Sequence, residues 1–368
     1  MPDPRLVCEV RAKSGIYLNW TSVSVEYTYA DTRPIRRFSL VCAEPSEARN
    51  VRLRPGEQVD VTLGGKKVIV DGFIKTRQVG YDATRHAVSV TGLAKAGHVQ
   101  EASVDHAQFR GYTLEQIGNA ITKKHGVAFR MANAPKGANT PFPNVITDPD
   151  QTDWQFLTGL ARNRGVMIQA AANGDLIAGI PDGGSGFVLE EGRNIFALNC
   201  YTEFPWAEYV VGWSQTQGSD QKFGSSVSEV SAQAGVPGGA TGLIMRVVAD
   251  RPLNAAENQT ATDAYTAELL LSTLQCTVTH HGWFKPGTND LWELGDKVTV
   301  KSPMAFPNDS GQLELRVFTV VLSQTPEGQT LTAITLVSEA VFAKRFPDGT
   351  AGDPFKQAAT SAADQTPV

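Results

Sequence analysis

The chain has 368 residues, of which 41% are hydrophobic and 19% are charged. These proportions exclude a disordered or fibrous chain, and the length favours two or three domains. No apolar run approaches the roughly 18–20 residues that a membrane helix requires. The first residues also lack the basic and apolar regions of a signal peptide. We therefore expect neither membrane insertion nor secretion by a signal peptide.

The formal net charge of −5 is unevenly distributed. Residues 1–130 carry 19 basic and 13 acidic side chains, whereas residues 131–368 carry 14 basic and 25 acidic ones. Such asymmetry makes electrostatic partners plausible. The basic part contains no dense run of Lys and Arg with interleaved aromatic residues, so specific nucleic-acid binding is not expected.

The N-terminal region, residues 1–97, has the pattern of a β-domain. Short segments alternate between apolar and polar residues, as at Val23, Val25 and Tyr27, and turns bearing Gly or Pro separate them. Short strands at this spacing are typical of a barrel or a sandwich. We predict a first β-barrel domain here.

Residues 112–130, "YTLEQIGNAITKKHGVAFR", change to helical periodicity. Thr113 and Gln116 fit a capping box, in which side chains and backbone amides bond reciprocally at a helix start. Gly126 follows a basic last turn and predicts a left-handed stop. A short strand should follow the glycine.

The stretch "TDWQFLTGLARNRG" repeats this plan 39 residues later. Thr152 and Gln155 form the second predicted capping box, and Gly165 the second stop. Trp154 belongs to the apolar face of this second predicted helix, so we expect its side chain in the core. Because cap, stripe, stop and strand all recur at one offset, the pattern indicates two copies of a helix–strand module. Asn173-Gly174 then predicts a tight hairpin turn.

A second repeat links the two ends of the chain. "PGEQVDVTL" and "LGDKVTVKS" each launch an alternating strand from a glycine followed by an acidic residue, and their glycines are Gly56 and Gly295. Each copy is followed by a strand–turn–strand pattern. We therefore interpret the fold as α+β and β-rich, with two similar β-barrel domains and two small inserted helix–strand modules.

The remaining segments complete the predicted domain organisation. A Gly- and Ser-rich stretch at 214–242 is typical of a long mobile loop, and a helix is predicted from Thr260 to Leu274. The last residues have the composition of a solvated tail. The predicted divisions are the first β-barrel domain at 1–97, the α/β modules at 98–190, the second β-barrel domain at 191–346 and the tail at 347–368.

Asp148, Asp150 and Asp153 are the densest group of potential metal ligands. A calcium loop of the EF-hand type also requires a central Gly and a bidentate Glu twelve positions into the loop, and the segment has neither. Acidic residues also favour a helix N-terminus electrostatically. Because the first module has the cap without the acids, we interpret Asp150 and Asp153 as part of the helix start.

The other candidate metal-binding or catalytic residues have weaker support from the sequence. Adjacent residues His280 and His281 point to opposite faces of a strand, which disfavours one shared metal ion. No Gly-x-Ser-x-Gly motif or phosphate loop is present. The four cysteines are far apart in sequence and are interpreted as buried thiols in a reducing cytoplasm. We expect no catalytic residue, no metal site and no cofactor.

Three segments carry a family resemblance: "YTLEQIGNAITKKHGV", "TDWQFLTGLARNRGVMI" and "HGWFKPGTNDLWELGDKVTV", the last containing Trp283 and Gly295. In order and spacing they resemble baseplate hub proteins of contractile-tailed phages, of the Mu-type and late-control D family. The N-terminal region of the type VI secretion spike is more distantly similar.

The resemblance implies a structural protein rather than an enzyme. It implies a ring-shaped homotrimer with two β-barrels per chain, which joins the sixfold tail tube to the threefold central spike. The expected partners are further copies of the chain, the spike, the tube and other baseplate proteins. The expected location is the virion tail baseplate, after assembly in the cytoplasm of the bacterial host.

Two alternative functions remain open from the residues. A tail-associated cell-wall hydrolase would need a catalytic pair of side chains, which the motifs do not supply. A carbohydrate-binding tail module would need exposed Trp side chains on which sugars pack.

Overall fold

The computed structural model describes residues 4–29, 35–42, 53–82, 86–180, 182–216, 218, 220–221, 223–240, 242–307 and 311–343. The predicted tail at 347–368 lies outside them. None of the helices in these ranges is long and apolar enough to cross a lipid bilayer.

The N-terminal region folds into strands, as its alternating pattern predicts. Val23, Val25 and Tyr27 are all buried, while the residues between them are partly exposed. The strands are β1 (Cys8–Ala12), β2 (Gly15–Tyr17), β3 (Ser22–Thr28), β4 (Arg37–Cys42), β5 (Gln58–Leu63), β6 (Lys66–Tyr81) and β7 (His86–Leu93).

The middle of the chain combines short helices with short strands. Their order is α1 (Gly97–Glu101), β8 (Gln108–Phe109), α2 (Leu114–Thr122), β9 (Phe129–Met131), β10 (Val145–Ile146), α3 (Asp153–Arg162), β11 (Met167–Ala170) and β12 (Leu176–Gly179).

The C-terminal region is again rich in strands and contains one long helix. Its elements are β13 (Phe187–Glu190), β14 (Ala197–Thr202), β15 (Tyr209–Ser214), α4 (Ser225–Ser228), β16 (Val230–Gly235), β17 (Ile244–Val248), α5 (Ala255–Leu271), β18 (Leu274–His281), β19 (Lys297–Lys301), β20 (Gln312–Gln324), β21 (Thr330–Val337) and α6 (Ala340–Ala343).

One sheet of 13 strands runs through both β-regions. Its order is β14-β18-β21-β20-β3-β4-β7-β6-β5-β1-β2, with β19 also paired to β20 and β13 paired to β19. The two regions meet where β3 pairs antiparallel with β20. We call this pairing the seam.

The two β-regions repeat one strand order. The series β5-β6-β7-β4-β3 in the first corresponds to β19-β20-β21-β18-β14 in the second. The glycines of the sequence repeat occupy matching turns, since Gly56 and Gly295 have φ of 84° and 89°. The N–H of Gly56 donates to the carbonyl of Ile74 on β6, and the N–H of Gly295 donates to the carbonyl of Val317 on β20, both at 2.8 Å.

The two helix–strand modules share one small sheet of order β11-β12-β9. Helix α2 packs on β9 and α3 packs on β11. The backbone hydrogen bonds after the two helices repeat at the same offset of 39 residues. The N–H of Val127 donates to the carbonyl of Thr122, and the N–H of Val166 donates to the carbonyl of Ala161. The predicted hairpin is present, with β11 antiparallel to β12 and Gly174 at φ 80°.

Two predictions of local structure are wrong. Residues 230–235, assigned to a loop, form strand β16 against β15, because Ala232 and Ala234 give it a small apolar face that helix α5 covers. Helix α5 begins at Ala255, five residues before the predicted start, since Asn254 and Glu257 form a third capping box. Leu274, predicted as its last residue, begins strand β18.

Candidate assembly site

Both predicted capping boxes are present with the same geometry. The hydroxyls of Thr113 and Thr152 each accept from the amide N–H three residues on, at 3.2 Å. In return, the side-chain oxygens of Gln116 and Gln155 each accept from the threonine N–H at 2.9 Å. Two otherwise unpartnered donors are satisfied at each helix start.

The other predicted residues of the modules are in the core or at turns. Gly126 and Gly165 have φ of 65° and 63°, the left-handed region that ends a helix. Trp154 is only 3% exposed. Its indole N–H has no hydrogen-bond partner among the described residues. The ring therefore contributes packing, and a sugar cannot stack on it in this structure.

The three clustered aspartates are separated by the fold. Asp148 and Asp150 are exposed, whereas Asp153 is completely buried at the first turn of α3. One of its carboxylate oxygens lies 2.8 Å from Nε2 of His125 and 3.1 Å from Nζ of Lys124. The interpretation of Asp153 as a helix-start charge alone is thus corrected, because the carboxylate joins the two modules.

No metal cluster is formed by His, Cys, Asp or Glu within the ranges that the structure describes. The adjacent histidines point to opposite faces, with His280 buried and His281 exposed. Nε2 of His280 accepts from the indole N–H of Trp292 at 2.6 Å, and its Nδ1 donates to the carbonyl of His281. Burial lowers the pKa of His280, which favours the neutral ring that can accept from Trp292.

A buried polar contact joins the two β-regions beside the seam. The hydroxyl of Tyr27 on β3 donates to the carbonyl of Trp292 at 2.6 Å. Within the second region, Trp283 is buried and its indole N–H donates to the carbonyl of Ser323 on β20 at 2.8 Å. Both bonds satisfy buried polar groups close to the seam. Trp283 and Gly295, both carried by the resemblance, therefore lie in the second β-region, near its contact with the first.

A buried ion pair lies beside Gly295. Nζ of Lys285 is 2.7 Å from the carboxylate of Asp296, which has no exposed surface. The same carboxylate accepts from the backbone N–H groups of Gly184 and Glu293 at 2.7 and 2.8 Å. These bonds hold the segment before β13 against the turn before β19. The ion pair is therefore part of a structural contact between these two segments.

Exposed aromatic side chains concentrate around β14, which lies at one end of the large sheet. Exposed apolar clusters on a soluble protein mark interaction surfaces more often than isolated apolar residues do. The exposed fractions are 57% for Phe196, 54% for Tyr201, 66% for Phe204 and 49% for Trp206. This surface was not predicted from the sequence, although these four aromatic residues lie within a stretch of eleven residues.

The comparisons with known proteins agree with this architecture. Residues 8–93 match the family described as Mu phage baseplate assembly protein GpP-like, N-terminal. Residues 96–180 match the second domain of the baseplate hub protein gp44-like family. Two consecutive segments of the chain thus match models of phage baseplate proteins. The resemblance predicted from the sequence motifs is thereby confirmed.

A curated relative of this chain is the baseplate hub protein gp44 of Escherichia phage Mu. It is 26% identical over 220 residues, which are 57% of this chain and 56% of that relative. The match therefore spans only about half of the relative's length.

Solved structures share the fold of this chain over nearly its whole length. The 43 kDa tail protein of prophage MuSo2 from Shewanella oneidensis has a TM-score of 0.76 at 19% identity, covering 91% of this chain and 99% of that one. The tail protein from Neisseria meningitidis has a TM-score of 0.74 at 17% identity, covering 94% and 99%. A type VI secretion component of E. coli has a TM-score of 0.57 at 11% identity, covering 92% and 79%.

Proposed function

We propose that this chain is the structural hub of a contractile phage baseplate, where three copies form a ring between the tail tube and the central spike. The observation that carries the proposal is the repeated strand order of the two β-regions. Two similar surfaces per chain give six per trimer, which is what a threefold ring needs to bind a sixfold tube. In this proposal each β-region closes as one barrel of the ring.

The proposed domain organisation follows the sequence prediction. The first β-domain is 1–97, the modules are 98–190 and the second β-domain is 191–346. The family matches support a boundary near residue 95, since one ends at 93 and the other begins at 96. We propose that the modules, which share their own small sheet, project from the ring toward other baseplate proteins.

The proposed role is structural. The relatives that match are baseplate and tail proteins, and the buried carboxylates described above face nitrogen groups within the fold. The proposed partners are the spike, the tube and neighbouring baseplate proteins. The proposed location is the virion tail baseplate, with assembly in the host cytoplasm.

The mass of the assembly in solution tests the ring. Native mass spectrometry and sedimentation should give three times the chain mass of 39.6 kDa, and negative-stain images should show a ring with a central hole. A chain that remains monomeric at all concentrations, with the tail tube and spike proteins added, would refute the hub assignment. Peptidoglycan digestion by the purified chain would instead support the hydrolase alternative.

A further inference from the structure

We propose that Cys200 and Cys276 are a site of reversible disulfide formation, and that the bond fastens strand β14 to strand β18. The bond closes when the folded chain meets a small disulfide such as oxidised glutathione, and reduction opens it again. Both cysteines belong to one chain, so the bond does not depend on the proposed ring.

The two cysteines lie directly opposite each other in the large sheet. Although they are far apart in sequence, the antiparallel pairing of β14 with β18 makes Cys200 and Cys276 Cα partners. Residues that are directly opposite in paired strands have their side chains on the same face of the sheet. The structure thus brings together two thiols that the sequence does not connect. The expectation of four buried thiols is corrected for Cys200, which is half-buried because β14 lies at the end of the sheet.

The position of the pair in the ladder favours a disulfide. The N–H of Glu203 donates to the carbonyl of Thr273 at 2.7 Å, in the same register as the rest of β14 and β18. Hydrogen-bonded and non-hydrogen-bonded pairs alternate along an antiparallel ladder, so Cys200 and Cys276 form a non-hydrogen-bonded pair. The Cα atoms of such a pair are about 4.5 Å apart, within the range of about 4.4–6.8 Å that a disulfide spans.

The other two cysteines have no thiol opposite them. Cys8 on β1 is opposite Leu63, and Cys42 on β4 is opposite Val88. Both are buried, and burial raises the pKa of the Cys8 thiol to about 12. All four cysteines of the chain are within the described ranges and are free thiols in this structure. The pair on β14 and β18 is therefore the one that the fold prepares for a disulfide.

The two thiols of the pair differ in reactivity. Cys200 is half-buried, whereas Cys276 has no exposed surface. A hydrogen bond between them lowers the pKa of Cys200 and raises the pKa of Cys276, which burial raises further. Because the thiolate is the nucleophile in thiol–disulfide exchange, Cys200 reacts first and Cys276 completes the bond.

The reaction is two successive exchanges. The thiolate of Cys200 attacks one sulfur of oxidised glutathione, which forms a mixed disulfide and releases one glutathione thiolate. The sulfur of Cys276 then attacks Cys200 in the mixed disulfide and displaces the second glutathione thiolate. The two glutathione thiolates take up the two protons that the cysteines lose. Two protein thiols are thereby oxidised, and one oxidised glutathione is reduced to two thiols.

The bond would act on a strand that is held on one side. Within the described residues, β14 is a terminal strand of the large sheet, whereas β18 pairs with β14 and with β21. Strands with few partners open locally at a low free-energy cost, and a disulfide prevents that opening. Exposed aromatic residues lie on and next to β14, among them Phe196 and Tyr201. Because disulfides persist in oxidising surroundings and thiols in a reducing cytoplasm, oxidation fixes this aromatic surface after the chain has left a reducing compartment.

Thiol counting in the folded chain tests the site. The full chain is purified in reduced form, incubated with oxidised glutathione and then alkylated in denaturant. Intact mass should show that the number of free thiols falls from four to two, and peptide mapping should find the segments with Cys200 and Cys276 linked. These thiols should be lost roughly tenfold faster than those of Cys8 and Cys42, because burial keeps the latter unreactive.

Two variants separate the steps. Cys276→Ala should stop at the mixed disulfide and gain the mass of one glutathione at Cys200. The control moves the reactive thiol by one position, as Asn199→Cys together with Cys200→Ala. Residue 199 points to the other face of β14, so this thiol should take up glutathione without becoming linked to Cys276.

The melting temperature tests the fastening of β14. The oxidised chain should melt about 5 °C above the reduced chain, since the bond restricts the unfolded state, and Cys276→Ala should show no such difference. Four free thiols after oxidation, glutathione retained on Cys200 of the native chain, or links between chains would overturn the proposed bond. Linkage of the control to Cys276 at the native rate would do the same. A disulfide that left the melting temperature unchanged would overturn the fastening of β14.

Discussion

Asp153 at the start of helix α3 and His125, three residues after the end of helix α2, are in contact, with 2.8 Å between the carboxylate and Nε2. The residues are 28 positions apart in sequence and belong to the two copies of the helix–strand module. The last turn of one copy thus lies against the first turn of the other. Because the carboxylate has no exposed surface, its contacts are part of the core between the modules.

Replacing Asp153 with Ala should destabilise the fold by about 1–3 kcal/mol, because it leaves Nε2 of the largely buried His125 without its hydrogen-bond partner. Lys124 adds little to this loss because it keeps Asp105, at 3.0 Å. Urea unfolding measures the loss. The matched control is Asp150→Ala, at an exposed position, which should change stability by less than about 0.5 kcal/mol. Equal effects of the two changes would refute this role of Asp153.

Replacing Trp154 with Ala should cost about 3–5 kcal/mol, since the buried ring leaves a cavity. Trp154→Phe should cost much less, because the indole N–H makes no hydrogen bond that the phenyl ring would lose. Thermal unfolding followed by circular dichroism separates the two. An unchanged melting temperature for Trp154→Ala would mean that the ring is exposed in solution, and would revive a surface-binding role.

The two capping boxes should contribute similar amounts to the free energy of unfolding. Thr113→Ala and Thr152→Ala should each lower the free energy of unfolding by about 1 kcal/mol, because each strips a helix start of its side-chain acceptor. Serine keeps that acceptor, so Thr113→Ser and Thr152→Ser are the controls and should lose only a few tenths of that amount. Chemical denaturation of the four variants makes the comparison. Alanine variants as stable as the serine variants would show that the boxes contribute nothing.

His280 should make the stability fall in mildly acidic solution. Burial lowers its pKa in the folded chain, whereas an unfolded histidine titrates near 6.5. Below that pH the unfolded state binds a proton that the folded state does not, so stability decreases by up to about 1.4 kcal/mol per pH unit as the pH falls. Above pH 7 this contribution is constant.

The variant His280→Gln isolates the effect, because its side-chain oxygen can still accept from Trp292 but does not titrate. Urea unfolding between pH 8 and pH 5.5 should give a flatter profile for the variant than for the native chain. The difference cancels contributions from His98, whose pKa burial also lowers. Parallel profiles would show that His280 does not titrate differently in the folded and unfolded states.

Local features were predicted correctly where the signal lies within a few residues. Thr113 and Gln116 are three positions apart, and a capping box needs nothing else. The hairpin at Asn173-Gly174 is likewise set by its turn residues. The Asn254–Glu257 box has the same spacing and was missed because the apolar pattern of α5 begins later. Strand β16 was missed because its apolar residues are small and its composition is that of a loop.

The sequence by itself determined the helix starts and stops of the two modules, the alternating strands, the two internal repeats and, through its motifs, the resemblance to baseplate hub proteins. These depend on backbone sterics and side-chain periodicity, which act over a few residues. Only the tertiary structure decided that Asp153 bonds His125, that β3 pairs with β20, and that β14 lies at the end of the large sheet formed by the described residues. Those outcomes depend on which segments, far apart in the sequence, bury apolar surface against each other. No short stretch of the sequence encodes that choice.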